Sequence, residues 1–341
     1  MGAGWQCATW RATLCRGRLP IASGRDRIAG AIGKNHNGLP PQRLVLYYRG
    51  MFQSQSGTDC KVRRPRAILL GAGHRPHVPE EANRLRPAVE RFAEVVLADF
   101  SGAEDLSSLE ADVAIVFGGD GSILRAARQM GDRQLPVIAV NLGKLGFLAA
   151  ISPSELPNVL EHFCAGKLSI IEHLMFECAV LHAGELVHRQ IGLNEAAIHA
   201  GPPFTILEVN LYVDGELVTT YSCDGLIVST PVGSTAHCLS AGGPILRQDL
   251  QAFVVLPISP HTLTNRPVVD SADRIYEMLV AQPNPGTALV VDGRVVCTLR
   301  PGDRVRVQKA RTKFKLVAAP GHSYYRTLRE KLGWGGRREV N

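Results

Sequence analysis

The feature that most constrains this fold is an alternation between residues 66 and 140. Three short apolar stretches, Arg66-Ala-Ile-Leu-Leu-Gly71, Asp112-Val-Ala-Ile-Val-Phe117 and Pro136-Val-Ile-Ala-Val140, are separated by segments of helical periodicity. Continuous apolar runs of this kind suit strands buried on both faces, the condition of a parallel sheet. After the first run, Ala82, Leu85, Val89, Phe92 and Val96 fit a 3.6-residue period and predict a helix over 80–96. Ile123 to Met130 predicts a second helix, placed just before the third run. Strand, helix, strand, helix, strand is the signature of a doubly wound α/β domain, expected here over residues 66–150.

The pattern changes after Pro153. A helix is expected around Glu155–Cys164, followed by alternating apolar and polar residues. Two hairpin signals stand out, Val213-Asp214-Gly215-Glu216 and Val291-Asp292-Gly293-Arg294. Asp-Gly accepts the positive φ angles of a type I′ turn, whose twist matches that of paired antiparallel strands. The expectation is an all-β antiparallel C-terminal domain within 151–318, then a tail, 319–341, whose helix over Tyr324–Trp334 packs back on the α/β domain.

Composition narrows the function classes. A length of 341 residues suits two domains. No apolar run approaches the roughly 18–20 residues that span a bilayer, so no membrane role is expected. The eight cysteines form no CxxC pair and read as reduced thiols of a cytoplasmic protein. The net charge of +7 is unevenly placed: residues 1–66 hold twelve Lys/Arg against two Asp/Glu, a balance of +10 that leaves the remainder at −3. The folded body therefore lacks the basic face of a nucleic-acid binder. Residues 1–65 lack hydrophobic periodicity and read as a disordered or non-native leader, with Met51 an internal start candidate, rather than as a targeting peptide.

The sharpest local motif is Phe117-Gly118-Gly119-Asp120-Gly121-Ser122, where a buried strand gives way to a helix. In a parallel sheet this junction faces the ligand crevice, and glycines with a helix start offer unpaired N–H groups to phosphate. A carboxylate inside such a loop would repel phosphate, so Asp120 makes sense as a proton acceptor or beside a metal-bound nucleotide; a plain turn or N-cap is the structural alternative. No Walker A lysine completes the loop, and Gly71-Ala-Gly73 lacks the third glycine of a dinucleotide fingerprint. Arg125 and Lys144 are candidate phosphate contacts. Asn194-Glu195 can read a base edge and ribose hydroxyls. Beyond Asp224, Ser229-Thr230-Pro231-Val232-Gly233-Ser234-Thr235-Ala236-His237 offers a hydroxyl- and glycine-rich loop to a polar ligand. No GxSxG elbow supports a serine hydrolase.

Taken together these stretches resemble the NAD kinase family over about residues 66–334. The chain carries that family's GGDG loop at 118–121 and its Asn-Leu-Gly-Lys-Leu-Gly-Phe segment at 141–147. It also has the Asn-Glu pair at 194–195, the stretch from Asp224 to Ala236, Gly-Gly-Pro at 242–244, a loop over 260–267 and a terminal Leu-Arg-Glu-Lys-Leu-Gly-Trp at 328–334. GGDG alone is shared with diacylglycerol and sphingolipid kinases and with phosphofructokinases; the ordered set is specific.

The resemblance implies phosphorylation of NAD at the adenosine ribose 2′-hydroxyl to give NADP, with ATP or polyphosphate as donor and a divalent cation, Mg²⁺, as cofactor. It implies Asp120 as catalytic base. It implies NAD contacts from Asp120, Gly121, Phe147, Asn194, Glu195, Asp224, Thr235, Ala236, His237 and Ser240. Donor phosphates would lie against Gly118, Gly119, Gly121, Arg125 and Lys144, with no protein residue assigned to the metal. It also implies a homodimer or homotetramer whose dinucleotide site is completed across subunits. Val232 departs from a Thr or Ser common in the family, and His237 from a Tyr that lies against the ligand. A lipid kinase sharing the GGDG loop, and a non-catalytic NAD(P)-binding regulator, are the competing readings; the Asn194-Glu195 and Thr235–Ser240 segments favour a dinucleotide acceptor, and the retained Asp120 favours catalysis.

Overall fold

The computed structural model describes residues 63–262 and 265–334. The leader expected over 1–65 lies outside the described residues, save for its last few.

The first part runs β1 (Arg66–Gly71), α1 (His77–Glu90), β2 (Glu94–Asp99), β3 (Val113–Gly118), α2 (Asp120–Met130) and β4 (Pro136–Asn141). The four strands are parallel in the order β2-β1-β3-β4, and every residue of β3 is buried. Helices cover both faces of this sheet. On one, Ala82, Leu85 and Val89 of α1, together with Leu156, Leu160 and Phe163 of α3 (Leu156–Cys164), meet Leu69, Ile115 and Phe117. On the other, Ile123, Ala126, Ala127 and Met130 of α2 meet Ile68, Leu70 and Val116. This is the doubly wound arrangement the alternation predicts.

The helix expected over 80–96 is shorter than its apolar period suggests. It stops at Glu90, where the Phe92 and Ala93 amides both turn back onto the Val89 carbonyl, at 2.9 Å each. Val96 belongs instead to β2, which pairs with β1. In Val95-Val96 two β-branched side chains point to opposite faces of the sheet, each meeting a different apolar layer. Apolar spacing alone could not separate a final helical turn from the first half of an edge strand.

After α3 the chain is almost wholly β: β5 (Ile170–His182), β6 (Glu185–Gly192), β7 (Glu195–His199), β8 (Leu207–Val213), β9 (Glu216–Cys223), β10 (Gly225–Ser229), a 3₁₀ turn (Gly233–Thr235), the helical turn α4 (His237–Ser240), β11 (Ala252–Ile258), β12 (Val268–Ser271), β13 (Tyr276–Val280), β14 (Ala288–Val291), β15 (Arg294–Thr298) and β16 (Asp303–Val317). Both Asp-Gly turns close hairpins, with φ of 50° and 85° at Asp214 and Gly215, and 48° and 75° at Asp292 and Gly293. Six strands form an antiparallel sheet in the order β12-β11-β10-β7-β14-β15. The remainder extend the first sheet, because β16 lies parallel to β4 at Lys315 and Leu316 and antiparallel to β5 and β13. An apolar core that includes Phe176, Phe253, Tyr276 and Met278 fills the space between the two sheets.

The chain ends in α5 (Tyr324–Leu332). The Tyr324 hydroxyl donates to the Leu246 carbonyl at 2.8 Å, and the Lys331 ammonium sits 5.1 Å from the centre of the Phe147 ring. The tail thus returns to the loop that follows β4. Cys164, Cys178, Cys223, Cys238 and Cys297 are free thiols, and among the described residues no helix is long and apolar enough to cross a membrane.

Candidate active site

The glycine turn lies at the C-terminal end of β3, where the parallel sheet opens to ligands. Gly119 is the N-cap of α2 and no side chain caps the helix; the Ser122 amide turns back onto the Gly119 carbonyl at 2.9 Å, and those of Asp120 and Gly121 remain available to an anion. A Cβ added at Gly119 or Gly121 would meet nothing within 4 Å, and neither residue has a positive φ. Neither packing nor backbone strain therefore demands glycine at these two positions. Unobstructed backbone beside a helix start is what close approach of a phosphate requires.

Asp120 opens α2, and its carboxylate does not hang free. Oδ2 accepts the Phe147 amide at 2.8 Å, and Oδ1 accepts those of Leu148 and Ala149 at 3.0 and 3.1 Å. A carboxylate offers about four lone-pair positions, so three amides leave one, on Oδ2. The same bonds tie the glycine turn to the 141–147 segment, which brings Phe147 beside Asp120. Gly146 makes this possible, since a Cβ there would run into the Asp120 carboxylate. Lys144 is exposed at the tip of this loop, which the Asn141 side chain closes by bonding to the Lys144 carbonyl at 3.1 Å. Arg125 leans against the turn after β2, close to Gly102, rather than over the glycines.

Asn194 and Glu195 sit where β6 passes into β7, both buried. Their backbone is held from two sides. Asp292, from the β14–β15 turn, accepts the amides of Leu193 (2.9 Å), Asn194 (2.7 Å) and Glu195 (3.2 Å). Thr230 donates its amide to the Asn194 carbonyl at 2.8 Å and its hydroxyl to the Leu193 carbonyl at 2.6 Å. In the sequence Asp292 is recognisable only as a turn residue; its role needs the hairpin folded over a loop nearly a hundred residues earlier in the chain. The Asp-Gly pair was the one available signal, and it does not say what the aspartate accepts.

The two carboxylates interact. Glu195 is 5% exposed and its Oε2 has no hydrogen-bond partner. Burial, with the Asp292 charge beside it, pushes the Glu195 carboxyl up from 4.5 to about 8. Burial also raises Asp292, but three amides and the nearby Arg128 oppose that shift. The proton shared by such a pair therefore belongs on Glu195, which has nothing else to stabilise a negative charge. At neutral pH Glu195 is a buried carboxylic acid with an orphaned oxygen, suited to a ligand hydroxyl.

Asp224 is half-buried between β9 and β10; its amide bonds Ile258 and its carbonyl accepts Ala200. The His261 amide bonds the Ser222 carbonyl at 2.9 Å, which brings the 260–262 segment beside it. Thr235 bonds back to the Val232 carbonyl at 3.0 Å, and Ala236 leads into α4. Val232 itself is buried with Ile123 and Leu148, so an apolar residue suits that position. Ser240 is exposed at the end of α4. The His237 ring stacks on that of His199, a residue the sequence did not single out, at 5.2 Å and 7°. Burial and the His237 charge hold the His199 imidazole below its ordinary range. Clefts of about 370 and 650 Å³ lie elsewhere and are lined by none of these residues.

A doubly wound sheet with a carboxylate in its glycine turn, joined to a β sandwich that clamps an Asn-Glu pair, defines a two-part, nucleotide-handling kinase architecture. Residues 80–168 match the ATP-NAD kinase N-terminal domain, and 193–319 the ATP-NAD kinase C-terminal domain. An NAD kinase from Rhodopirellula baltica is 55% identical over 81% of this chain and 88% of its own length. One from Geotalea daltonii is 39% identical over 75% of this chain and 90% of its own. The chain belongs to the NAD kinase family and is a transferase of that family. Among solved structures, an NAD kinase from Archaeoglobus fulgidus in complex with ATP is 27% identical with a TM-score of 0.62, covering 80% of this chain and all of that one. Yeast NADH kinase complexed with NADH shares the fold at a TM-score of 0.73 and 22% identity, over 82% and 91% of the two chains.

Proposed function

We propose that this enzyme transfers the terminal phosphate of ATP, or of polyphosphate, to the 2′-hydroxyl of the adenosine ribose of NAD, making NADP, with Asp120 accepting the hydroxyl proton. The observation that carries the reading is the Asp120 carboxylate: it stands at the mouth of the glycine turn, held by three amides, with one lone pair left on Oδ2. Phosphoryl transfer needs an in-line nucleophile and neutralised charge more than covalent help. A ribose hydroxyl need not ionise beforehand. Oδ2 takes its proton as the new O–P bond forms, a contribution of about 10²–10⁴-fold. The uncapped amides of α2 face the donor phosphates. Asn194, protonated Glu195, Asp224 and the Thr235–Ser240 turn line the dinucleotide, with Phe147 on the side tied to Asp120.

Among the described residues no group of three or more His, Cys, Asp or Glu side chains is placed to hold an ion. The divalent cation, Mg²⁺ in this reading, arrives on the donor phosphates as part of the substrate. We infer a cytoplasmic homodimer or homotetramer whose dinucleotide site is completed across subunits.

The test is a coupled assay offering NAD, NADH, diacylglycerol and sphingosine with Mg-ATP, run on the wild type and on Asp120→Asn. The expected result is NADP formation that falls about 10²–10⁴-fold in a folded variant. Near-wild-type turnover in that variant would refute the role of Asp120, and phosphorylation of the lipids alone would refute the acceptor.

A further inference from the structure

Helix α2 carries Arg125 and Arg128 one turn apart, about 4.5 Å along the axis. Both are half-buried, yet among the described residues no carboxylate pairs with either. That sets them apart from the other arginines of the described residues. Arg189, Arg274, Arg304, Arg306 and Arg326 are all ion-paired, while the unpaired Arg75, Arg133, Arg311 and Arg329 are exposed. A guanidinium that loses water without gaining a partner is destabilising, and such an arrangement persists where a partner arrives from outside.

The carboxylate whose charge acts on Arg128 is already committed. Asp292 gives its oxygens to three amides of the 193–195 loop. Two residues on, at the start of β15, Arg294 adds a third guanidinium, exposed and likewise without a carboxylate among the described residues. Arg125 and Arg294 both lie close enough to Arg128 to repel its charge, and together with partial burial they pull its guanidinium below its ordinary value. Three like charges thus gather between the glycine-turn helix and the hairpin that clamps Asn194 and Glu195, against the single counter-charge that Asp292 presents to Arg128.

We propose that Arg125, Arg128 and Arg294 form a clamp for the phosphate chain of the phosphoryl donor, the anion common to nucleoside triphosphates and linear polyphosphate. The proposal rests on the phosphoryl-transfer reading above. It adds Arg128 and Arg294, and it gives the chain a course from the α2 N-terminus toward the β14–β15 hairpin. Guanidinium forks match phosphate oxygens in bidentate geometry and stay charged when partly desolvated. Three of them exceed what the coenzyme's diphosphate needs, since each of its phosphates has one ester and one anhydride link and a single charge. A donor chain carries more, and its terminal phosphate carries the most. A clamp of this kind grips the chain and ignores the base.

The experiment measures inorganic tripolyphosphate binding by calorimetry, and steady-state KM for ATP, polyphosphate and NAD, in wild type, Arg128→Gln and Arg294→Gln. Arg294 is exposed on a hairpin, so its variant keeps the test sound should Arg128→Gln fold poorly beside Asp292. The expected result is about tenfold weaker tripolyphosphate binding in each variant, which corresponds to about 1.4 kcal/mol. The donor KM should rise by a similar factor while the NAD KM stays within about twofold. A rise for only one donor supports the clamp and identifies that donor. Unchanged tripolyphosphate affinity in Arg294→Gln, or a raised NAD KM with an unchanged donor KM, would overturn the proposal. A wild type that binds tripolyphosphate but makes no NADP would sink the proposed function and leave the clamp standing.

Discussion

Replacing Glu195 with glutamine removes one ionisable group while keeping its size, and the effect on stability should depend on pH in a calculable way. In the folded chain this carboxyl is pushed up from 4.5 to about 8 by burial and by Asp292. Between those values the folded state holds a proton that the unfolded state has released. The resulting stabilisation is full below about pH 4.5 and is lost as pH rises through 8. Its slope in the middle of the window is about 1.4 kcal/mol per pH unit and falls off toward 8, so from pH 5.5 to 7.5 the wild type should lose about 2.5 kcal/mol relative to Glu195→Gln. The ceiling over the whole window is roughly 5 kcal/mol. Urea denaturation of both proteins at the two pH values, at one protein concentration, measures the difference directly. A gap between wild type and variant that is the same at both pH values would show that Glu195 is not the protonated member of the pair.

Other consequences follow from the same contacts. Gly146→Ala should force the Asp120 carboxylate off the amides of Phe147, Leu148 and Ala149, lower the melting temperature and cut kcat at least tenfold in the folded enzyme; an unchanged kcat would mean those bonds do not position Asp120. Asp292→Asn gives up the Leu193 amide bond on one oxygen, at about 1–3 kcal/mol of stability, and should lower the upper end of the pH window above by removing the charge beside Glu195. His199 is held below 6.5 by burial and by His237, so the stability it contributes as a neutral ring is present above 6.5 and lost as pH falls below it. His237→Tyr should reduce that acid-side loss and change how the KM for NAD varies from pH 6 to 8; identical profiles would leave the stacked pair without a part in coenzyme binding.

The α/β half was legible because buried parallel strands and amphipathic helices leave different periods, and β3 and β4 end within a residue of where their apolar runs do. The two hairpins were legible because Asp-Gly is a local solution to a local problem of twist. The end of α1 was not, because an edge strand that begins soon after a helix can continue its apolar spacing for a few residues. The glycine turn and Asp120 stood out by position, at a strand-to-helix junction. What the carboxylate touches did not, since its three amides come from residues 147–149, on the far side of α2 and β4.

By itself, then, the order of residues determined which segments become strands and helices, where the chain turns, and which loop carries chemistry. All of these depend on neighbours a few positions apart. Tertiary structure alone decided that β16 fuses two halves into one sheet. It alone set Asp292 under Asn194 and Glu195, and left Arg125 and Arg128 half-buried without an ion pair among the described residues. Pairing partners and protonation depend on which groups lose water together, and that is settled only when distant segments are brought into contact.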